Sequence, residues 1–519
     1  MSRAAPPASR RALLRLAAAT AAAGTLPRWA WAAAPALARN PFALGIASGD
    51  PAPDGVVLWT RLAVPEGTGA LTVRWEIADD PAFRRIVQAG QAGALPALAH
   101  SVHVEVAGLA SGRWYCYRFM LGDAVSATGR TRTAPAANAP DARLRLAFAS
   151  CQRWEHGYYA AWRHLAADAP DLVAFLGDYI YEYATPADST GLARTHALRH
   201  ARTLDDYRDR YALHKSDPDL QAAHRACAWI VTWDDHEVEN DYADDAGRDA
   251  QGFAARRAAG YQAFYEHMPL RAAALAAGMD HLRLYRSVAW GRLARFHLLD
   301  DRQYRARQAC RPPGASGAAS VKAGCAELQA PERSLLGLEQ ERWLDGALAR
   351  DAEEGAARWS VIAQQTLFSP RHYPSGVTAT DNWDGYPAAR ARLLASVRQR
   401  QPRNTVLIGG DIHQNYVCAV HADPERPGSP VLASEFCGTS ITSRSGTTQA
   451  KVDAVVRRNP HVLLADCEHR GYVLADIAPQ RWSTQLRVLD DAARADASIS
   501  TLARFVVEDG LPGPMRDGA

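Results

Sequence analysis

Four apolar runs in this chain each break off into a short polar cluster, and that arrangement constrains the fold more than any other feature. Residues 144–149 lead into Ser150-Cys151, and residues 172–176 lead into Gly177-Asp178. Residues 228–233 lead into Asp234-Asp235-His236-Glu237, and residues 406–408 into Gly409-Gly410-Asp411-Ile412-His413. Apolar runs this short read as buried strands. In open α/β sheets, ligands gather outside the carboxyl ends of the strands. The pattern predicts a thiol, several carboxylates and two imidazoles along one sheet edge. That set suits a metal site better than a nucleophilic triad.

The rest of the chain supplies layers for such a sheet. Residues 41–135 carry β-rich runs at 56–62, 71–78, 101–109, 113–121 and 125–133, separated by Gly, Asp and Pro. Short strands at this spacing predict an immunoglobulin-like or fibronectin-like β-sandwich domain. A Pro/Ala linker spans 134–142. Beyond it, helices are predicted at 154–167, 253–265 and 335–350, and an adjacent pair of strands within 282–299. This alternation predicts a layered α/β (α+β) domain with a mixed sheet over 143–490. Residues 492–508 read as a helix, which makes 491–519 a C-terminal helix and tail.

The first residues have the pattern of an export signal. Ser9-Arg10-Arg11-Ala12-Leu13-Leu14-Arg15 is a twin-arginine pattern, followed by an apolar stretch at 16–26 and Ala-x-Ala cleavage sites near residue 34. A twin-arginine signal over 1–34 implies recognition by the twin-arginine translocase and a periplasmic or secreted product. No later run reaches the ~18 apolar residues of a membrane span. The formal net charge of +3 becomes −2 once the five Arg of residues 1–34 are set aside. That balance excludes a nucleic-acid scaffold role. Eight Cys are too sparse for a disulfide-built fold. Cys310 and Cys325 flank a Pro/Gly/Ala/Ser-rich loop and are the pair expected to form a disulfide. Cys116, Cys227 and Cys418 lie in apolar runs and read as buried thiols.

Donor softness divides the polar clusters. The Cys151 thiolate favours iron, zinc or copper. Asp178 follows a glycine that lets the backbone turn sharply, and its carboxylate is placed to bridge two ions. Tyr181, three residues on, offers a phenolate, a ligand typical of ferric iron, and His413 adds an imidazole. Asp235, Asp411 and Asn240 are hard oxygen donors suited to calcium. His236, flanked by Asp235 and Glu237, reads as a catalytic group that stabilises a phosphate oxygen or protonates a leaving group. A second arrangement stays open, with Ser150-Cys151 as a covalent nucleophile and His236 as its base. It leaves Asp178, Asp411 and His413 without work.

These clusters resemble the PhoD-type alkaline phosphatase/phosphodiesterases of the calcineurin-like metallophosphatase superfamily. The resemblance rests on Phe148-Ala149-Ser150-Cys151, Gly177-Asp178-Tyr179-Ile180-Tyr181 and the run from Trp233 to Asn240, WDDHEVEN. Leu299-Asp300-Asp301-Arg302-Gln303-Tyr304-Arg305, Asn382-Trp383-Asp384-Gly385-Tyr386-Pro387 and Gly410-Asp411-Ile412-His413 follow in the family order. Gly45-Ile46-Ala47-Ser48-Gly49-Asp50-Pro51 and Leu58-Trp59-Thr60-Arg61 are similar to the family's β-domain. The resemblance implies two sheets sandwiched between helices, Fe3+ with Ca2+, and hydrolysis of phosphate mono- and diesters. It also implies iron at Cys151, Tyr181 and His413, a bridging Asp178, calcium at Asp235, Asp411 and Asn240, and His236 acting on the phosphate. The wider superfamily's Asp-x-His, Gly-Asn-His-Glu and Gly-His-x-His blocks are replaced here by Ser150-Cys151, Asp234-Asp235-His236-Glu237 and Gly410-Asp411-Ile412-His413. Those replacements favour iron plus calcium over a dizinc or iron–zinc centre. The expected function is a secreted metal-dependent phosphatase/phosphodiesterase. The alternatives are a phospholipase D-like diesterase on the same centre, or a non-catalytic periplasmic binding protein.

Overall fold

A computed structural model describes residues 40–139, 143–247, 251–312, 315–322, 324–353, 356–426 and 428–518. The predicted signal at 1–34 lies outside the described residues.

Two sheets packed face to face form the centre. The larger has ten strands in the order Leu511–Arg516, Ile499–Glu508, Arg481–Leu489, Gly471–Ile477, Leu144–Ala149, Leu172–Leu176, Ala228–Thr232, Ile46–Ala52, Gly55–Arg61 and Ser101–Val106. The four strands from Leu144–Ala149 to Ile46–Ala52 run parallel. The second sheet has seven strands in the order Arg286–Trp290, Ala294–Leu298, Trp359–Ala363, Thr405–Gly409, Val431–Cys437, Asn415–His421 and Val462–Asp466. Strands covered on both faces are apolar at every position. Accordingly Leu144, Leu146 and Phe148 meet Phe296, Val361 and Ile408 of the second sheet. Ala147 and Ala149 of the same strand face the opposite way, toward helix Ala160–Ala167 and helix Phe253–His267. Helices Gly337–Ala352 and Pro387–Arg400 cover the outer face of the second sheet. Four layers result, with the polar clusters at the carboxyl ends of the parallel strands.

The N-terminal strands form a sandwich, with a sharing that the sequence did not reveal. A five-stranded sheet containing Leu71–Ala78, Ile86–Ala94 and Trp114–Leu121 packs on Ile46–Ala52, Gly55–Arg61 and Ser101–Val106 through Val73, Ile77, Tyr117, Phe119, Val56 and Leu58. The inner three strands continue the ten-stranded sheet. Ser48 pairs with Ala228 and Gly49 with Trp229. The sandwich is therefore built onto the ten-stranded sheet.

Two predictions need correction. The predicted C-terminal helix is a pair of strands, Ile499–Glu508 and Leu511–Arg516. Ile499–Glu508 pairs antiparallel with Arg481–Leu489, and Phe505 and Val507 point into the inter-sheet core. An edge waiting for a partner overrides helix propensity there. The predicted helix at 154–167 is split into a 3-10 turn, Trp154–His156, and helix Ala160–Ala167. Gly157 between them is extended, and a Cβ on it would lie 2.6 Å from the Ala492 carbonyl oxygen. Cys310 and Cys325 are joined in a disulfide, while Cys116, Cys227 and Cys418 are buried free thiols.

Candidate metal centre

The strand ends turn abruptly. Cys151, Asp178, Asp411 and His413 all have left-handed backbone, with φ of 59°, 58°, 66° and 56°. Non-glycine residues in that region cluster at functional sites, held there by their surroundings. Here the holding is explicit. The Cys151 N–H donates to the Gly177 carbonyl and the Gln152 N–H to the Asp178 carbonyl, each at 3.0 Å. Gly177 has φ of +106°, and a Cβ on it would lie 2.5 Å from the Asp234 Cβ. The first two strand ends are thereby laced together, and the second presses directly on the third.

A soft donor group forms on one side of Asp178. Donor atoms of Cys151, Asp178 and His413 all lie within 4.8 Å of one another. The Tyr181 hydroxyl donates to Asp178 Oδ2 at 2.9 Å, lies 3.1 Å from His413 Nε2 and accepts from the Ser443 hydroxyl. His413 Nδ1 lies 3.0 Å from the Arg444 carbonyl, to which its N–H donates. That bond places the Nε2 lone pair toward the group, the usual way a ligating imidazole is oriented. Burial, helped by Arg470, pulls the His413 pKa down to about 3, so the ring is neutral. Burial and then the Asp178 charge hold the Cys151 thiol and the Tyr181 phenol well above their ordinary ranges. A cation is the missing charge that would let either ionise.

Hard donors occupy the other side. Asp178, Asp235 and His236 offer atoms within 4.8 Å of one another, as do Asp235, Asp241 and Asp381. Asp235 Oδ1 is buried and has no hydrogen-bond partner among the described residues. Asp411 lies against this group, accepting from the Thr366 hydroxyl at 2.7 Å with Arg302 at 3.8 Å. The buried Arg302 also bonds Asp234 and Asp381. Arg302, together with Arg305 on Asp381, offsets only part of this charge. Burial pushes Asp178 well above the carboxylate range, and the neighbouring Asp235, Glu237 and Asp411 add to it. Unsatisfied buried carboxylate oxygen of this kind calls for paired or coordinated cations. The donors present therefore fit metal ions on both sides of Asp178.

His236 stands at the junction. Its Nδ1 lies 2.7 Å from Glu182 Oε2. Burial opposes its charge, but Glu182, Asp235 and Asp178 outweigh burial and hold its pKa well above the ordinary range. With Nδ1–H bound to Glu182, Nε2 is the nitrogen left for a ligand. The alternative pairing of Cys151 with His236 as base is not formed. The Cys151 thiol instead donates to the Ser150 hydroxyl at 3.1 Å and groups with Asp178 and His413.

Comparison with known proteins identifies the family. Residues 146–486 match the PhoD-like phosphatase family, and residues 28–135 match the N-terminal domain of PhoD-like phosphatases. This chain belongs to the PhoD-like phosphatase family. It is 44% identical over 501 residues to alkaline phosphatase D of Bacillus subtilis (strain 168), covering 93% of this chain and 83% of that protein. A solved structure of PhoD superposes with a TM-score of 0.86 at 42% identity, covering 94% of each chain.

Some residues of this PhoD-like centre were not singled out from the sequence. Glu182 orients His236, Asp241 and Asp381 join Asp235, and Arg302 ties the carboxylates together. Arg302 sits in the Leu299–Arg305 motif, and Asp381 directly precedes the Asn382 motif, so proximity to those motifs was the available signal. Asn240, predicted as a hard donor, donates its backbone N–H to Glu182 Oε1 at 3.0 Å. The carboxylate that groups with Asp235 is that of its neighbour, Asp241.

Proposed function

We propose that this PhoD-like protein is an exported hydrolase of phosphate mono- and diesters. In this reading Cys151, Tyr181 and His413 hold a ferric ion, Asp235, Asp411 and Asn240 serve calcium, and Asp178 is shared. Family membership makes the chain a phosphoric ester hydrolase. The observation that carries the metal assignment is the sorting of donors about Asp178, with thiol, phenol and imidazole on one side and carboxylates on the other. Bound cations would supply Lewis acidity and lower the pKa of a coordinated water. The chain's own residues do the rest. Asp178 fixes the spacing between the two donor groups. His236, its Nδ1–H bound to Glu182, directs Nε2–H at a phosphoryl oxygen or the leaving group. Burial of Cys151, Asp178, Tyr181, Asp235 and His236 keeps bulk water from that part of the set and strengthens the charge interactions within it. The partly exposed Asp411 and His413 leave an opening to solvent. Export rests on the twin-arginine pattern at Arg10-Arg11. Among the described residues no helix is long and apolar enough to cross a membrane.

Elemental analysis of the protein purified after export tests this reading. Stoichiometric iron with calcium, and a purple or reddish colour from tyrosinate-to-iron charge transfer, are the expected results. An empty site after correct export would favour a binding protein instead. The hydrolase reading fails if Cys151→Ser and Asp178→Asn both keep full activity on an aryl phosphate.

A further inference from the structure

The proposed chemistry leaves one group of cations unused. Arg153 lies two residues beyond Cys151, with its guanidinium carbon 5.7 Å from the centre of the Tyr181 ring and 5.2 Å from that of Tyr183. Both rings pack on His236, at centroid distances of 4.1 Å and 5.3 Å. Arg153 therefore shares two aromatic neighbours with His236 and stands one ring away from the donor group that Tyr181 and His413 enter. Its backbone is pinned at both ends. The N–H donates to the Ser443 hydroxyl, and the carbonyl accepts from the Thr442 hydroxyl.

The side chain is oriented without being used up. Its Nε donates to Glu155 Oε2 at 3.3 Å. Glu155 is buried and also faces His196 at 3.3 Å. The outer edge of the guanidinium makes no other hydrogen bond among the described residues, and the side chain keeps 17% of its exposure. His156 and Arg444 are electrostatic neighbours of this corner: burial, then Arg153 and Arg444, pull the His156 pKa down to about 4. His156 accepts the Arg444 N–H at Nδ1, and the Arg444 carbonyl accepts from His413. The same short path that orients His413 thus carries Arg444 to the rim. A guanidinium stacked on aromatic faces with its fork open is preorganised for a planar anion or a phosphate. Arg153 meets the donor group only through the Tyr181 ring, and its one side-chain hydrogen bond among the described residues goes to Glu155, which points to an anion other than the reacting phosphoryl group.

We infer that Arg153 is a substrate-positioning and specificity residue that binds a second anionic group, a carboxylate or phosphate, on the part of the ester remote from the scissile bond. The favoured substrate class is a phosphoester whose alcohol arm carries its own negative charge. This inference rests on the hydrolase reading above.

Three aryl esters separate the possibilities: phenyl phosphate, 4-carboxyphenyl phosphate and its neutral isostere 4-carbamoylphenyl phosphate. The metal-loaded wild-type enzyme should prefer the carboxylate over the carboxamide by about tenfold in kcat/KM, mainly through KM. Arg153→Ala should bring that ratio to near one, and Arg153→Lys should restore part of it. Raising salt should shrink the wild-type preference, because an exposed ion pair is screened. The salt series needs no variant and so stands even if Arg153→Ala fails to fold. A wild-type ratio near one, or a ratio that Arg153→Ala leaves intact, overturns the inference. A uniform loss on all three esters is such an intact ratio. Failure of the hydrolase reading would look different, as no turnover of any of the three by the metal-loaded wild type.

Discussion

The residues of the centre separate into those that offer donors and those that aim them. Cys151 belongs to the first kind. Cys151→Ser should remove the soft donor, with loss of the visible colour and of iron by elemental analysis, and a fall in activity of about a hundredfold or more. Glu182 belongs to the second kind. Glu182→Gln keeps the shape but weakens the hold on the His236 Nδ1–H, so kcat should fall about 10- to 100-fold with little change in KM, measured by steady-state kinetics. The two kinds were not equally legible. Cys151, Asp178, Asp235 and His413 all lie in the short clusters that end apolar runs, so strand geometry alone places them along one sheet edge. Glu182 and Asp381 meet the centre through loops, and no periodicity marks the end of a loop. Donor softness separates thiol, phenol and imidazole from carboxylates, but it does not single out Asp241 or Asp381, which are oxygen donors like many others in the chain.

At the scale of elements, the deciding feature is how closely the strand ends approach. Gly177 combines a left-handed φ with a contact that leaves no room for a Cβ. Gly177→Ala should cost about 2 kcal/mol or more of stability, read as a lowered urea midpoint, and should displace Asp178 and Asp234 from the centre. The glycine was visible in the sequence as a turn signal, but its contact with the third strand was not. The C-terminal strands carry the opposite lesson. Ile499–Glu508 reads as helical by composition, yet it adds to an open edge and seats Phe505 at 1% exposure between the sheets. Phe505→Ala should therefore destabilise by about 3–5 kcal/mol, measured by chemical denaturation, a loss no surface helix would show. Strand or helix there was settled by pairing with Arg481–Leu489 and Leu511–Arg516, which the composition of 499–508 alone does not encode.

For the whole molecule, the two sheets and the metal centre are coupled. Chelation with EDTA should strip the hard-donor side, abolish activity and lower the thermal midpoint, with both restored on adding calcium. Composition made a layered α/β domain with a buried sheet legible, whereas two sheets between helices came only from the family resemblance. The continuity of the N-terminal sandwich with the catalytic sheet was not, because pairing between Ile46–Ala52 and Ala228–Thr232 leaves no trace in either segment alone. Calorimetry should accordingly show one unfolding transition for the N-terminal and catalytic parts together, and two resolved transitions would contradict the shared sheet.

That shared sheet also sets a timetable for synthesis. The strand Leu144–Ala149 waits for Gly471–Ile477 on one side, and Ile46–Ala52 waits for Ala228–Thr232. Pairings over such separations are slow to close and leave strand edges open meanwhile. The ribosome must therefore release nearly the whole chain before the ten-stranded sheet can be finished. Until then the growing protein carries unpaired edges, which makes it a natural client for chaperones that shield β-strands. An exporter that accepts only finished folds would serve this topology well.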